Sequence, residues 1–102
     1  MDSIAAVASE ARVATTVPRR YMAQLCKHFE HRVPVTLGES QGRIAFPSGV
    51  CDVTADVDAA ALVMRVTAAD AAALANLEDV VARHLKRFAF REEPEVAWVR
   101  VA

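Results

Sequence analysis

Apolar residues in this chain recur every three or four positions in only two windows; elsewhere they alternate with polar ones. The first window runs from Arg19 to about Arg32 and carries Met22, Leu25, Cys26, Phe29 and Val33. The second runs from about Ala68 to Phe88 and carries Leu74, Leu77, Val81, Leu85 and Phe88. That period draws one apolar stripe on a helix, which must be buried against another layer. Alternation marks strands with one buried face. The alternating segments are "SEARVATT", "VPVTLGES", "RIAFP", "VCDVTAD", "ALVMRVT" and "EVAWVRV". The order is β-α-β-β-β-β-α-β. It predicts an α+β two-layer sandwich, a mainly antiparallel sheet with both helices on one face.

Local punctuation supports the order. Pro18 stands where a first helical turn tolerates proline, and Pro34 stops the first helix. Thr67-Ala-Ala-Asp70 resembles a capping box, with Asp in place of Glu or Gln. Asp56-Val57-Asp58 reads as a hairpin turn. Gly38, Gly42 and Gly49 fall in turns or strand ends, where positive φ is the ordinary reason for glycine.

With 102 residues, the chain reads as a single domain, 1–102, large enough to bury a core without disulfides or a structural metal. Two cysteines, Cys26 and Cys51, make no disulfide framework and are expected to be reduced and buried. Met1-Asp2-Ser3 offers no basic leader segment, and no apolar run approaches the ~20 residues of a membrane helix. A cytoplasmic location without membrane insertion is expected.

"LCKHFEHR" (25–32) gathers one cysteine and two histidines. On a helix advancing ~100° per residue, Cys26 points about 160° from His28 and roughly 140° from His31. It can share neither metal nor proton with them. His28 and His31, ~60° apart, can converge on one ligand, and His84 in the second helix is a candidate third donor. His28, His31 and His84 are thus candidate metal ligands, although no carboxylate ligand accompanies them. The alternative is that His28 and His84 are edge-of-core residues and His31 is solvated.

Charge supplies a competing chemistry. The formal net charge is −1, which argues against a dedicated nucleic-acid binder. Arg19, Arg20, Lys27 and Arg32 nevertheless surround the first helix, and Arg83, Lys86, Arg87 and Arg91 crowd the end of the second. A bare cation is repelled by such a surface, whereas an anion is attracted. Complementation of the helix dipole explains Lys27, Arg32, Lys86 and Arg87 equally well, but not Arg19 and Arg20 at an N-terminal end. Phosphate loops, H-E-x-x-H, C-x-x-C and G-x-S-x-G are absent.

"LCKHFEHRVPV", "GRIAFPSGVCDVTAD" and "LEDVVARHLKRFAFREE" together resemble a family of small bacterial proteins catalogued as domain of unknown function 2218. The resemblance runs from about Ser9 to Arg100. Its motifs match here at Leu25, Cys26, His28, Phe29 and His31, then from Arg83 to Leu85, Arg87, Phe88 and Phe90 to Glu92. It implies no established activity or cofactor; its association with siderophore-interacting and iron-uptake proteins implies an iron-related role.

The expected function is non-enzymatic: a binding or accessory module whose site comprises His28, His31, His84, Arg20, Arg83, Arg87 and Arg91. Its partner would be a small anion or an iron chelate. Two rivals remain, an enzyme using histidine as general acid or base and a protein-interaction module. In "EVAWVRV", Val96 and Trp98 share one side. If Ala97 and its neighbours face the helices, these two and Val63 are expected on the open sheet face, as the interface of a homodimer or protein partner; in the opposite register Trp98 is ordinary core.

Overall fold

A computed structural model describes residues 6–101; the reading made on Met1-Asp2-Ser3 lies outside them. Eight elements follow in the expected order: β1 (Val7–Ala14), α1 (Pro18–Phe29), β2 (Val35–Leu37), β3 (Gln41–Phe46), β4 (Gly49–Asp56), β5 (Ala61–Ala68), α2 (Ala71–Phe88) and β6 (Val99–Val101). The six strands form one antiparallel sheet in the order β2-β3-β4-β5-β1-β6. β2 to β5 is a meander, and β1 lies between β5 and β6. Both helices cover one face, α1 over β2 to β5 and α2 over β4, β5 and β1.

Alternation sorts each strand. On β4, Cys51, Val53 and Ala55 point into the core; on β5, Leu62, Met64, Val66 and Ala68 do so. The helical stripes meet them with Met22, Leu25 and Cys26 from α1 and Leu74, Leu77, Val81 and Leu85 from α2. Among the described residues no helix is long and apolar enough to cross a membrane.

Several local expectations change. Thr67 lies in β5, and Asp70 alone caps α2 by accepting from the Ala73 N–H at 2.8 Å. α1 ends at Phe29, so His31 lies in the following turn, off the helix. No described glycine has positive φ; that conformation falls instead to Ala60 and Glu93. Gly42 and Gly49 are there for space. A Cβ on Gly42 would stand 2.7 Å from Cys26 Sγ. One on Gly49 would stand 2.3 Å from the Thr67 carbonyl oxygen and 2.6 Å from Leu77 Cδ1. These two glycines let α1 and α2 seat on the sheet.

The last strand is shorter than "EVAWVRV" suggests, and its faces are reversed. Arg100 is opposite Ser9, which is buried on the helix side, so Trp98, two residues earlier, points the same way. Trp98 and Val96 pack half-buried against the core, while Val63 faces the opposite side and Val99 is 64% exposed. The expected grouping of Trp98 and Val96 with Val63 is therefore not formed. An indole carries too much apolar area to leave in water when the sheet edge beside the core is open to it.

Candidate functional site

Where α1 crosses the C-terminal end of α2, aromatic and cationic side chains converge. The rings of His28 and His84 lie with centroids 4.6 Å apart. Phe29 meets both, at 4.9 Å each, and Phe88 lies 5.6 Å from His28. The expectation that these two histidines stand side by side on adjacent helices is met. His84 Nδ1 donates to the Val80 carbonyl at 2.6 Å, which leaves Nε2 the lone pair in the neutral ring. Burial lowers the His28 pKa below its ordinary value, and the charges of His84, Arg87 and Arg32 lower it further.

The third histidine does not join them. His31 is exposed beyond the end of α1, so the ~60° spacing of an unbroken helix does not apply to it. Among the described residues no group of three or more His, Cys, Asp or Glu side chains is arranged to hold a metal. The cations beside His28 also make its surroundings unfavourable to a bare metal ion. The three-histidine metal set is not assembled.

Next to the histidines, a cleft of about 490 Å³ opens between α1 and the turn after α2. It is lined by Arg20, Tyr21 and Gln24 from α1, and by Phe88, Phe90 and Arg91. The helix period explains the first group, since Arg20 and Gln24 lie on one stripe and Tyr21 beside it. The second group arises because α2 ends at Phe88 and the chain turns back, with the Glu92 and Glu93 N–H groups both donating to the Ala89 carbonyl. This turn leaves Phe90 65% exposed, with the Arg91 guanidinium 5.6 Å from its ring centroid.

The polar lining is incompletely matched. Among the described residues, neither Arg20 nor Arg91 has a carboxylate within salt-bridge distance. The Gln24 side-chain oxygen is buried without a hydrogen-bond partner. Tyr21 keeps its proton more tightly than usual because of its hydrogen bond to Glu92, its burial and the carboxylate's charge, with Arg20 opposing. Glu92 also accepts from the Thr15 hydroxyl at 2.9 Å, which ties the turn to the end of β1. Two cations, an amide, a phenol and two phenyl rings are the means to hold an anion with a flat apolar part.

Of the expected site residues, Arg20 and Arg91 line the cleft. His28, His84 and Arg87 form the neighbouring group, joined to the cleft through Phe88. Arg83 is engaged elsewhere, donating to Asp79 one turn back at 2.9 Å. Sequence reasoning did not single out Tyr21 or Phe90 as lining. The available signal was position: Tyr21 beside Arg20, and Phe90 just past the apolar stripe among arginines. Cys26 and Cys51 are free and buried, as expected, and burial raises both thiol pKa values. Glu30 adds to the rise at Cys26, and Asp52 and Cys26 to that at Cys51; protonated thiols make poor nucleophiles.

No curated protein matches this chain. The NMR structure of PA4090 from Pseudomonas aeruginosa does, with a TM-score of 0.76 and 34% sequence identity over 91% of this chain and 95% of that one. A family model matches residues 10–99, and the chain belongs to that family, described as an uncharacterized protein conserved in bacteria (DUF2218).

Proposed function

We propose that the protein is a non-enzymatic binding module for a small anion with a flat apolar or aromatic part, held in the α1–α2 cleft. The observation that carries this reading is the pairing of Arg20 and Arg91, neither matched by a described carboxylate, with the partnerless Gln24 oxygen in one cleft. The guanidinium groups would take a carboxylate or phosphate, Gln24 a donor on the ligand, and Phe88 and Phe90 its apolar face. An aromatic iron chelate is one ligand of this chemistry, and the one the family resemblance suggests. Arg87 extends the positive field beyond Phe88, beside the His28 and His84 rings.

One observation favours a second reading. The Val80 carbonyl orients His84 as a general base would be oriented, beside a His28 whose proton is loosely held. Neither ring lines the cleft, however, so the binding reading stands first.

The test uses 2,3-dihydroxybenzoate, alone and with ferric iron, followed by amide chemical-shift changes and calorimetry. Binding should perturb residues 20–24 and 88–91. The pair Arg20→Gln and Arg91→Gln should weaken it at least about tenfold with the fold intact. Saturable binding unaffected by the two changes, or none with this probe, benzoate or inorganic phosphate, removes the reading. Binding only with iron points to the chelate. Turnover lost in His84→Gln moves the conclusion to the enzyme.

A further inference from the structure

The face of the sheet away from the helices carries a charge pattern with a symmetry of its own. The pairing registers place Arg43 opposite Asp52, Asp52 opposite Arg65, and Arg65 opposite Glu10. Side chains directly opposite share a face, so one row across β3, β4, β5 and β1 reads plus, minus, plus, minus. Reversing the direction of the row inverts every sign. Two such rows laid face to face about a two-fold axis parallel to the strands, between β4 and β5, match each cation with an anion.

From this we infer that the open sheet face joins two copies of the chain in an isologous dimer, Asp52 meeting the partner's Arg65 nearest the axis and Arg43 meeting the partner's Glu10 outside. The neighbouring rows obey the same operation. In one, Val50 meets the partner's Thr67. In the other, Thr54 meets the partner's Val63, and Gln41 the partner's Arg12. No like charges are opposed, and in these two neighbouring rows the residues beside the axis, Val50, Thr67, Thr54 and Val63, are β-branched and compact.

Geometry and charge state are suitable. With strands ~4.8 Å apart, the outer charges lie about 7 Å from the axis. The ~30° crossing usual between packed sheets shifts them by roughly 4 Å, within reach of arginine and glutamate. Arg43 is bound to Asp52 at 2.7 and 3.3 Å, but Arg65 stays 3.8 Å from Glu10, outside hydrogen-bond range. The central arginine thus has donors to offer across an interface. Five strands of this spacing give a footprint of roughly 650 Å², just below the ~800 Å² per partner of standard complexes. A micromolar dimer is the consequence, with charge setting its register.

The experiment is sedimentation of the full chain from about 10 μM to about 1 mM, with circular dichroism to monitor the fold. Wild type should show reversible dimerisation that weakens with salt. Asp52→Lys and Arg65→Glu each create two like-charge contacts about the axis, and each should weaken self-association at least about tenfold. Mixed in equal amounts, the two variants restore every opposite-sign contact and should associate within about threefold of wild type. Monomeric wild type at the highest concentration overturns the proposal. So do folded variants that dimerise unchanged, or a mixture that stays monomeric. If either variant unfolds, Arg65→Gln and Asp52→Asn make the same comparison with smaller effects, and association unaffected by both is again decisive against the interface.

Discussion

The two outer surfaces of this protein dispose their charges in opposite ways. On the sheet face the charges of the central row have cross-strand partners of opposite sign: Arg43 with Asp52, Arg65 with Glu10. In the groove between the helices, Arg20 and Arg91 have no described acidic partner, and Arg87 and Arg32 add to the charge around His28. A net charge of −1 averages the two and describes neither. Paired charges on a flat sheet give a pattern readable only at contact. Unmatched cations around a concave cleft give a field that attracts anions from a distance. The same residue types thus suit a surface of one kind to docking and of the other to capture.

The contrast depends on the helix layer being held at a fixed height above the sheet, and the largest expected effect breaks that. Gly49→Ala places a methyl carbon against the Thr67 carbonyl and Leu77 Cδ1, one of them backbone that cannot swing aside. A loss of about 3 kcal/mol is expected, a fall in Tm of roughly 12–24 °C for a domain of this size. Gly42→Ala meets the Cys26 sulfur instead, and repacking should hold the loss to about 1–2 kcal/mol. Thermal denaturation of both variants tests the order. If Gly49→Ala is as stable as wild type, α2 is not seated as described, and the groove geometry loses its foundation.

Legibility in the sequence followed the length scale of the interactions. The order of elements rests on periodicity, and two helical stripes among alternating segments allowed few alternatives. The strand order was not legible, because insertion of β1 between β5 and β6 is set by long-range pairing that leaves no local mark. His28 and His84 met as expected, since each borders a stripe packed on the same sheet face. His31 failed because helical spacing was carried past Phe29, where the helix had ended. Trp98 failed because the alternation of a final strand has two phases; packing of the indole on the core selected the one that Arg100 opposite Ser9 records. Turn-like positions point to φ as the reason for glycine, whereas at Gly42 and Gly49 the contact that excludes a side chain lies on a distant element.

A smaller effect sharpens the comparison through its sign. Removing a matched charge from the sheet leaves its neighbour exposed and uncompensated. Arg43→Gln should therefore lower Tm slightly, and Asp52→Asn should add little once Arg43 is gone, a coupling that a double-mutant cycle measures. Arg87→Gln in the groove removes an unmatched charge that stands with Arg32 around His28, so Tm should hold or rise slightly. The same fall in both places would show the groove cations to be satisfied by partners after all, and the contrast would disappear.

The smallest effect expected is pH dependence in the groove, and its direction is fixed by the cause. Burial, then His84, Arg87 and Arg32, hold the His28 pKa below 6.5 in the folded protein. The folded state thus binds fewer protons than the unfolded chain between that lowered value and 6.5. The contribution to stability is fully present above pH 6.5 and is lost as pH falls through the window beneath it. His28 is exposed, and solvent screening keeps the change small. The direct measurement is an NMR titration of the imidazole protons, in which His28 should have its midpoint below 6.5. Arg87→Gln should raise the midpoint without restoring 6.5, because burial and His84 act ahead of that arginine. A bound anion near the ring should raise it too, by favouring the imidazolium. Titration in saturating phosphate or dihydroxybenzoate therefore asks how far the groove's field extends. A shift at His28 places the ligand's charge beyond Phe88, and a shift confined to cleft residues places it at Arg20 and Arg91. A midpoint at or above 6.5 in the free protein would mean that the surrounding cations are screened, and the electrostatic contrast with the sheet would fail where it is most exposed to test.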